Sequence, residues 1–215
     1  MNVRTLWFAA AAVFFFAALP AHAQRRFELD PFVGYETSAS YPVTTYNGPL
    51  AAGTIDQLRV NGATAFGTFM DYGLTENFQP EFMWNRNNTS YSAHNAVTGI
   101  YGPAYHSVID QYQFGALYLF RNSAVKLRPY VAASLGFTHD ENGNATPNRT
   151  EFAFSLGGGV KYYLTRHFGL RADARYLPTY GSSSAELFCY FGCYYANVSH
   201  YLNRGSFTGG FIFNF

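Results

Sequence analysis

From Phe27 onward, hydrophobic and polar residues alternate with a period of two in eight segments, the spacing of strands whose successive side chains point to opposite faces. Leu127, Pro129, Val131, Ala133, Leu135 and Phe137 oppose Arg128, Tyr130, Ala132, Ser134, Gly136 and Thr138. Phe152, Phe154, Leu156, Val160 and Tyr162 oppose Glu151, Ser155, Gly157, Gly159 and Lys161. Phe168, Leu170, Ala172, Ala174 and Tyr176 alternate with Gly169, Arg171, Asp173 and Arg175, which puts three charges in succession on one face. The same pattern marks residues 27–36, 60–74, 78–85, 111–120 and 204–215; in the second of these Val60, Gly62, Phe66 and Met70 share the apolar or small face.

One face of every segment is bulky and aromatic, the other small, glycine-bearing or charged. The interior of an eight-stranded barrel is narrow and only just filled by side chains, so the small and charged face is expected inside. A soluble ligand-carrying barrel would show the reverse parity, so the aromatic exterior predicts lipid outside. The expected fold is therefore all-β, an eight-stranded antiparallel up-and-down transmembrane barrel. Its lumen would receive Glu28, Asp30, Glu36, Asp71, Glu81, Glu151 and Asp173 with Arg128, Lys161, Arg171, Arg175 and Arg204. Buried charges are costly unless paired, so an ion-pair network that plugs the lumen is expected, with Arg171, Asp173 and Arg175 at its centre.

Composition narrows the setting. Aromatic residues make up 20% of the 215 and charged residues 13%, against roughly 25% charged in an ordinary soluble domain, so the polar coat of a cytosolic globule is missing. Arg4, the apolar run from Leu6 to Leu19 and the triplet Ala21-His22-Ala23 predict a cleaved signal peptide over residues 1–23, with the barrel domain over 24–215. Removing Arg4 balances the charges, which leaves no basic footprint for nucleic acid. Connections alternate between short and long, the long ones being 38–58, 87–106, 138–149 and 179–201. In outer-membrane barrels the short turns are periplasmic, so both mature termini are expected in the periplasm and recognition by the outward loops.

A hairpin motif recurs: Tyr72-x-Leu74-Thr75-x-x-Phe78 and Tyr162-x-Leu164-Thr165-x-x-Phe168, each with a glycine five residues ahead, Gly67 and Gly157. With this repeat, the signal peptide, Arg128-Pro129-Tyr130-Val131 and the ending Gly210-Phe211-Ile212-Phe213-Asn214-Phe215, the chain resembles the small outer-membrane β-barrel family of OmpA-type transmembrane domains and OmpX-like barrels. The resemblance implies that Phe211, Phe213 and Phe215 form a signal for the barrel-assembly machinery. It also implies contact with outer-membrane lipid and lipopolysaccharide, and either a structural role or adhesin-like contact with an extracellular surface ligand.

Chemistry is sparse. The lipid A deacylase kind of barrel places histidine and serine at alternate positions of one strand; here Ser199 and His200 are adjacent and would point to opposite faces. No cofactor or metal site is predicted, and Gly157-Gly158-Gly159 lacks the lysine and helix of a phosphate loop, so it is read as close backbone packing. Cys189 and Cys193 are the only cysteines, and an exported, oxidising compartment favours a loop disulfide between them over zinc. The expected role is a non-enzymatic surface-interaction or structural barrel, with a narrow or gated small-solute pore and, distantly, a lipid-modifying enzyme as alternatives.

Overall fold

The computed structural model describes residues 27–42, 55–141, 148–180, 186–189, 193–196 and 201–215, with 186–189 and 193–196 followed by backbone. The expected leader and the Ser199-His200 pair lie outside the described residues. Twelve strands run through them: β1 (Phe27–Glu36), β2 (Ala39–Pro42), β3 (Ile55–Val60), β4 (Ala63–Tyr72), β5 (Phe78–Asn95), β6 (Ile100–Leu119), β7 (Leu127–Glu141), β8 (Arg149–Tyr163), β9 (Phe168–Tyr180), β10 (Glu186–Cys189), β11 (Cys193–Ala196) and β12 (Tyr201–Asn214). Eight of these close on themselves in the antiparallel circuit β1-β4-β5-β6-β7-β8-β9-β12-β1, which leaves the barrel wall without a free edge.

Parity follows the expected faces. On β9 Arg171, Asp173 and Arg175 are buried while Leu170 and Tyr176 are exposed, and on β7 Arg128, Tyr130 and Ala132 are buried opposite Leu127 and Val131. The exterior is a band of exposed apolar side chains, among them Val33, Phe114, Leu135, Leu156 and Phe207. Phe211, Phe213 and Phe215 all lie on it, Phe211 stacking on Phe168 at 5.7 Å. In water such a surface would drive aggregation; in hydrocarbon it is the solvated face.

Two expectations are corrected. Residues 60–74 do not form one uninterrupted strand: β3 ends at Val60 and β4 begins at Ala63. Against β5 the pairing passes from Val60↔Tyr91 to Ala65↔Asn87, one residue out of step, so the side-chain alternation inverts across Asn61 and Gly62. Val60 consequently points inward and is fully buried instead of sharing the outer face with Phe66 and Met70. The connection expected as a loop over 87–106 is a β-hairpin. Here β5 and β6 continue past the barrel rim to Asn95 and Ile100, and Gly99 takes a φ of 70° in the turn between them.

Beyond the rim, β2, β3, β5 and β6 make a four-stranded sheet that stands on the loop end of the barrel. Its inner face carries Leu58, Val60 and Tyr91, which cluster with Ile109 and Leu202 of the barrel wall across the mouth of the lumen. At the opposite, turn end, the two copies of the repeat behave alike. Leu74 and Thr75 donate their amides to the Phe78 carbonyl, as Leu164 and Thr165 do to that of Phe168, while the Thr75 and Thr165 hydroxyls accept from the Phe78 and Phe168 amides.

Candidate functional site: the lumen network and the loop-end sheet

Strand register decides which charges meet, because only the closed circuit brings β1 beside both β4 and β12 and lets β8 and β9 face them across the lumen. Lys161 of β8 reaches Glu28 at 2.6 Å, Asp71 at 2.5 Å and Asp30 at 3.7 Å, all three carboxylates being buried. Arg171 of β9 binds Asp30 at 3.0 Å, Asp71 at 2.9 Å and Glu81 at 2.6 Å, and lies 3.4 Å from Asp173. Arg175 completes the set on Glu81 at 2.7 Å and Asp173 at 2.8 Å. Five carboxylates thus surround three cations, and the Tyr163 and Tyr130 hydroxyls donate to Glu28 and Asp173.

Carboxylate oxygens of Glu28, Asp30 and Asp71 lie within 4.8 Å of one another, a spacing that suits a metal ion. The Lys161 ammonium stands among them and supplies the positive charge such an ion would bring. On one side of the lumen Phe32, Phe69, Met83 and Leu177 pack together, with the Arg171 guanidinium 3.7 Å over the Phe69 ring. Next comes Arg204, paired with Glu36 at 2.7 Å, while the amides of Asn85 and Asn87 donate to the same Glu36 carboxylate. Across the lumen Ser134 donates to Gln113 and sits 2.5 Å from Ser155. At the loop end Tyr91 and Ser107 donate to Asp140, which Arg149 approaches at 3.3 Å.

Arg128 and Glu151, expected in the network, stand apart from it. Arg128 is at the turn end, where its guanidinium donates to the backbone carbonyls of Arg121 and Glu76 and lies over the Tyr163 ring at 5.5 Å. Glu151 sits at the loop end, 3.9 Å from Arg149 and ten residues along β8 from Lys161, about 33 Å at strand rise. Parity placed both inside the wall; height along the strand separates them from the central cations. Asp30, Glu36 and Arg204, by contrast, carry ion pairs of the lumen.

The glycine run of β8 belongs to this site. Tyr130, Gly159 and Asp173 are successive cross-strand partners, so the Tyr130 hydroxyl crosses over the bare Gly159 to reach Asp173. A Cβ on Gly159 would stand 2.8 Å from that hydroxyl and collide with the Ala172 carbonyl. Gly159→Val is therefore expected to displace Tyr130 and to lower stability by roughly 1–3 kcal/mol through overpacking. Urea unfolding in vesicles checks it, and a midpoint equal to the parent's would refute this role for the glycine.

At the loop end the hairpin of β10 and β11 sets Cys189 opposite Cys193 in the backbone register. Their side chains, and with them the expected disulfide, lie outside the described residues. The tip of the β5–β6 hairpin exposes Val97, Ile100 and Tyr101, with Val97 81% accessible. Beside it Arg59 lies over the Tyr101 ring at 4.7 Å, and His94 contacts Asp56 at 2.5 Å.

Among known proteins, the family model described as "Outer membrane protein beta-barrel domain" matches residues 8–210. The fold is similar to that of OprG from Pseudomonas aeruginosa, with 11% identity, a TM-score of 0.60, and coverage of 90% of this chain and 97% of that one. It is also similar to Neisserial surface protein A, with 14% identity, a TM-score of 0.55, and coverage of 88% and 97%. The N-terminal barrel domain of Pseudomonas aeruginosa OprF gives 19% identity, a TM-score of 0.50, and coverage of 88% and 97%. No curated protein sequence matches the chain.

Proposed function

We propose that this chain, which belongs to the outer membrane protein beta-barrel domain family, acts as a non-catalytic surface-interaction protein that binds through its loop end while its lumen stays closed. The observation that carries the reading is the continuation of β5 and β6 beyond the rim as a sheet whose inner face packs over the barrel mouth and whose tip is exposed and apolar. A barrel that served only to fill the membrane has no use for a sheet and an exposed apolar tip above it. The lumen supports the same reading. Its ion-pair network, apolar cluster and Glu36–Arg204 pair occupy the interior, and eight strands leave a lumen only just wide enough for such side chains.

In this reading the loop end faces outward, the turn end and Phe215 face the periplasm, and a signal peptide over residues 1–23 directs export. The exposed Phe211 and Phe213 of β12 and the Phe215 that follows it serve as the signal for the assembly machinery, and the aromatic hairpin carrying Cys189 and Cys193 is a second contact element. The test replaces residues 92–103, the hairpin tip, with a short Gly-Ser turn and compares adhesion of expressing cells to a serum-coated surface. The truncated barrel is expected to keep its heat-dependent gel shift and lose adhesion. Undiminished adhesion would remove the loop-end sheet as the contact surface.

A further inference from the structure

Three rows of side chains climb the outer wall across β4, β5, β6 and β7. The lowest is aromatic: Phe66 meets Trp84 edge to face at 6.1 Å, and Tyr112 stacks on Phe137 at 5.2 Å. The next is charged, with Arg86 on Asp110 at 2.6 Å, the Trp84 indole donating to the same carboxylate and His139 paired beside it. Above both, the described residues leave a cavity of about 700 Å³, lined on the outer face by Gly62, Asn88, Ser90, His106, Val108 and Glu141. Aromatic, charged and then polar is the order an outer leaflet presents from its acyl boundary to its headgroups.

The groove offers amide, hydroxyl, imidazole and carboxylate groups over the apolar side chain of Val108, and at its edge the Tyr35 hydroxyl packs against Gly62. That set donates and accepts hydrogen bonds around a polyhydroxylated ring, and an apolar floor suits a sugar's C–H face. A phosphate is a poorer fit, since Glu141 lines the groove and Asp110 already neutralises Arg86. We propose that this groove binds the saccharide headgroup of an outer-leaflet glycolipid whose acyl chains run down over Phe66, Trp84, Tyr112 and Phe137. The assignment rests on the loop end facing outward, and continuity with the lipid-facing band selects a membrane glycolipid over a free sugar.

Ser90→Trp would fill the groove from an outward-facing position, and Tyr201→Trp is a control elsewhere on the wall. Each barrel, verified by its heat-dependent gel shift, is reconstituted in phosphatidylcholine vesicles containing a lipid A-type glycolipid with core sugars. The glycolipid retained per barrel after detergent extraction is then measured by mass spectrometry. The parent and Y201W are expected to retain it alike, and S90W roughly tenfold less, the scale of one or two lost hydrogen bonds. Equal retention by S90W overturns the site. Equal occupancy by the free core oligosaccharide, or by phosphatidylglycerol in place of the glycolipid, overturns the glycolipid assignment. Labelling of a Val97→Cys variant by an impermeant thiol reagent on intact cells tests the orientation by itself, so its failure is distinguishable from failure of the groove.

Discussion

Replacing Lys161 with methionine is expected to cost about 3–5 kcal/mol, the range for breaking a buried ion pair from one side. The ammonium is the partner of Glu28 and Asp71 at 2.6 and 2.5 Å, and all three side chains are buried. Methionine keeps most of the length and packing of lysine, so the loss reports the stranded carboxylates and little else. Adding Glu28→Gln and Asp71→Asn to the same chain should recover more than half of it, because neutral amides need no cation. Urea titration in vesicles, followed by the fluorescence of Trp84, measures both. A Lys161→Met barrel within about 1 kcal/mol of the parent would mean that the network is not the packing element assigned to it.

The second large effect lies on the opposite face. Leu156 is 61% exposed midway along β8, between Phe152 and Tyr162, at the height of the hydrocarbon centre. Leu156→Arg is expected to destabilise the barrel by about 2–4 kcal/mol, and the same change at Leu164, in the turn beyond β8, by about 0–1 kcal/mol. The two leucines are both exposed, so burial predicts no difference between them; only a lipid environment graded by depth does. Equal unfolding midpoints for the two variants would contradict the lipid-facing assignment.

Much of the barrel was legible because each strand inside the membrane separates two unlike environments, and the sequence has to alternate to match. The charges of β9 against Leu170 and Tyr176 are the plainest instance. The signal fails where the physics that writes it fails. Residues 87–106 read as a loop because β5 and β6 leave the lipid there, and with water on the outer face Asn88, Ser90 and Ser92 replace the aromatic positions. Parity puts Val60 on the outer face because a one-residue slip at Asn61 and Gly62 leaves no mark in the alternation.

Within the lumen, parity identified which charges point inward without saying which of them meet. Lys161 and Glu28 are 133 residues apart and are joined only by closure of the circuit. Arg128 and Glu151 show the converse, since facing inward fixes a side and leaves the height free. The apolar cluster of Phe32, Phe69, Met83 and Leu177 is not expected from a lumen read as polar throughout. The available signal was their position on the inward parity of β1, β4, β5 and β9. Gly159 was read as close packing, and register shows what packs there: the ring of Tyr130 on its way to Asp173.

Single-barrel conductance in a planar bilayer tests most directly whether the lumen is closed by its packed side chains. With purified, heat-shifted protein inserted at neutral pH in potassium chloride, the expected result is a flat current with no steady unit steps. Regular, ion-selective steps from the parent barrel would contradict it and make the molecule a pore whose network is a gate.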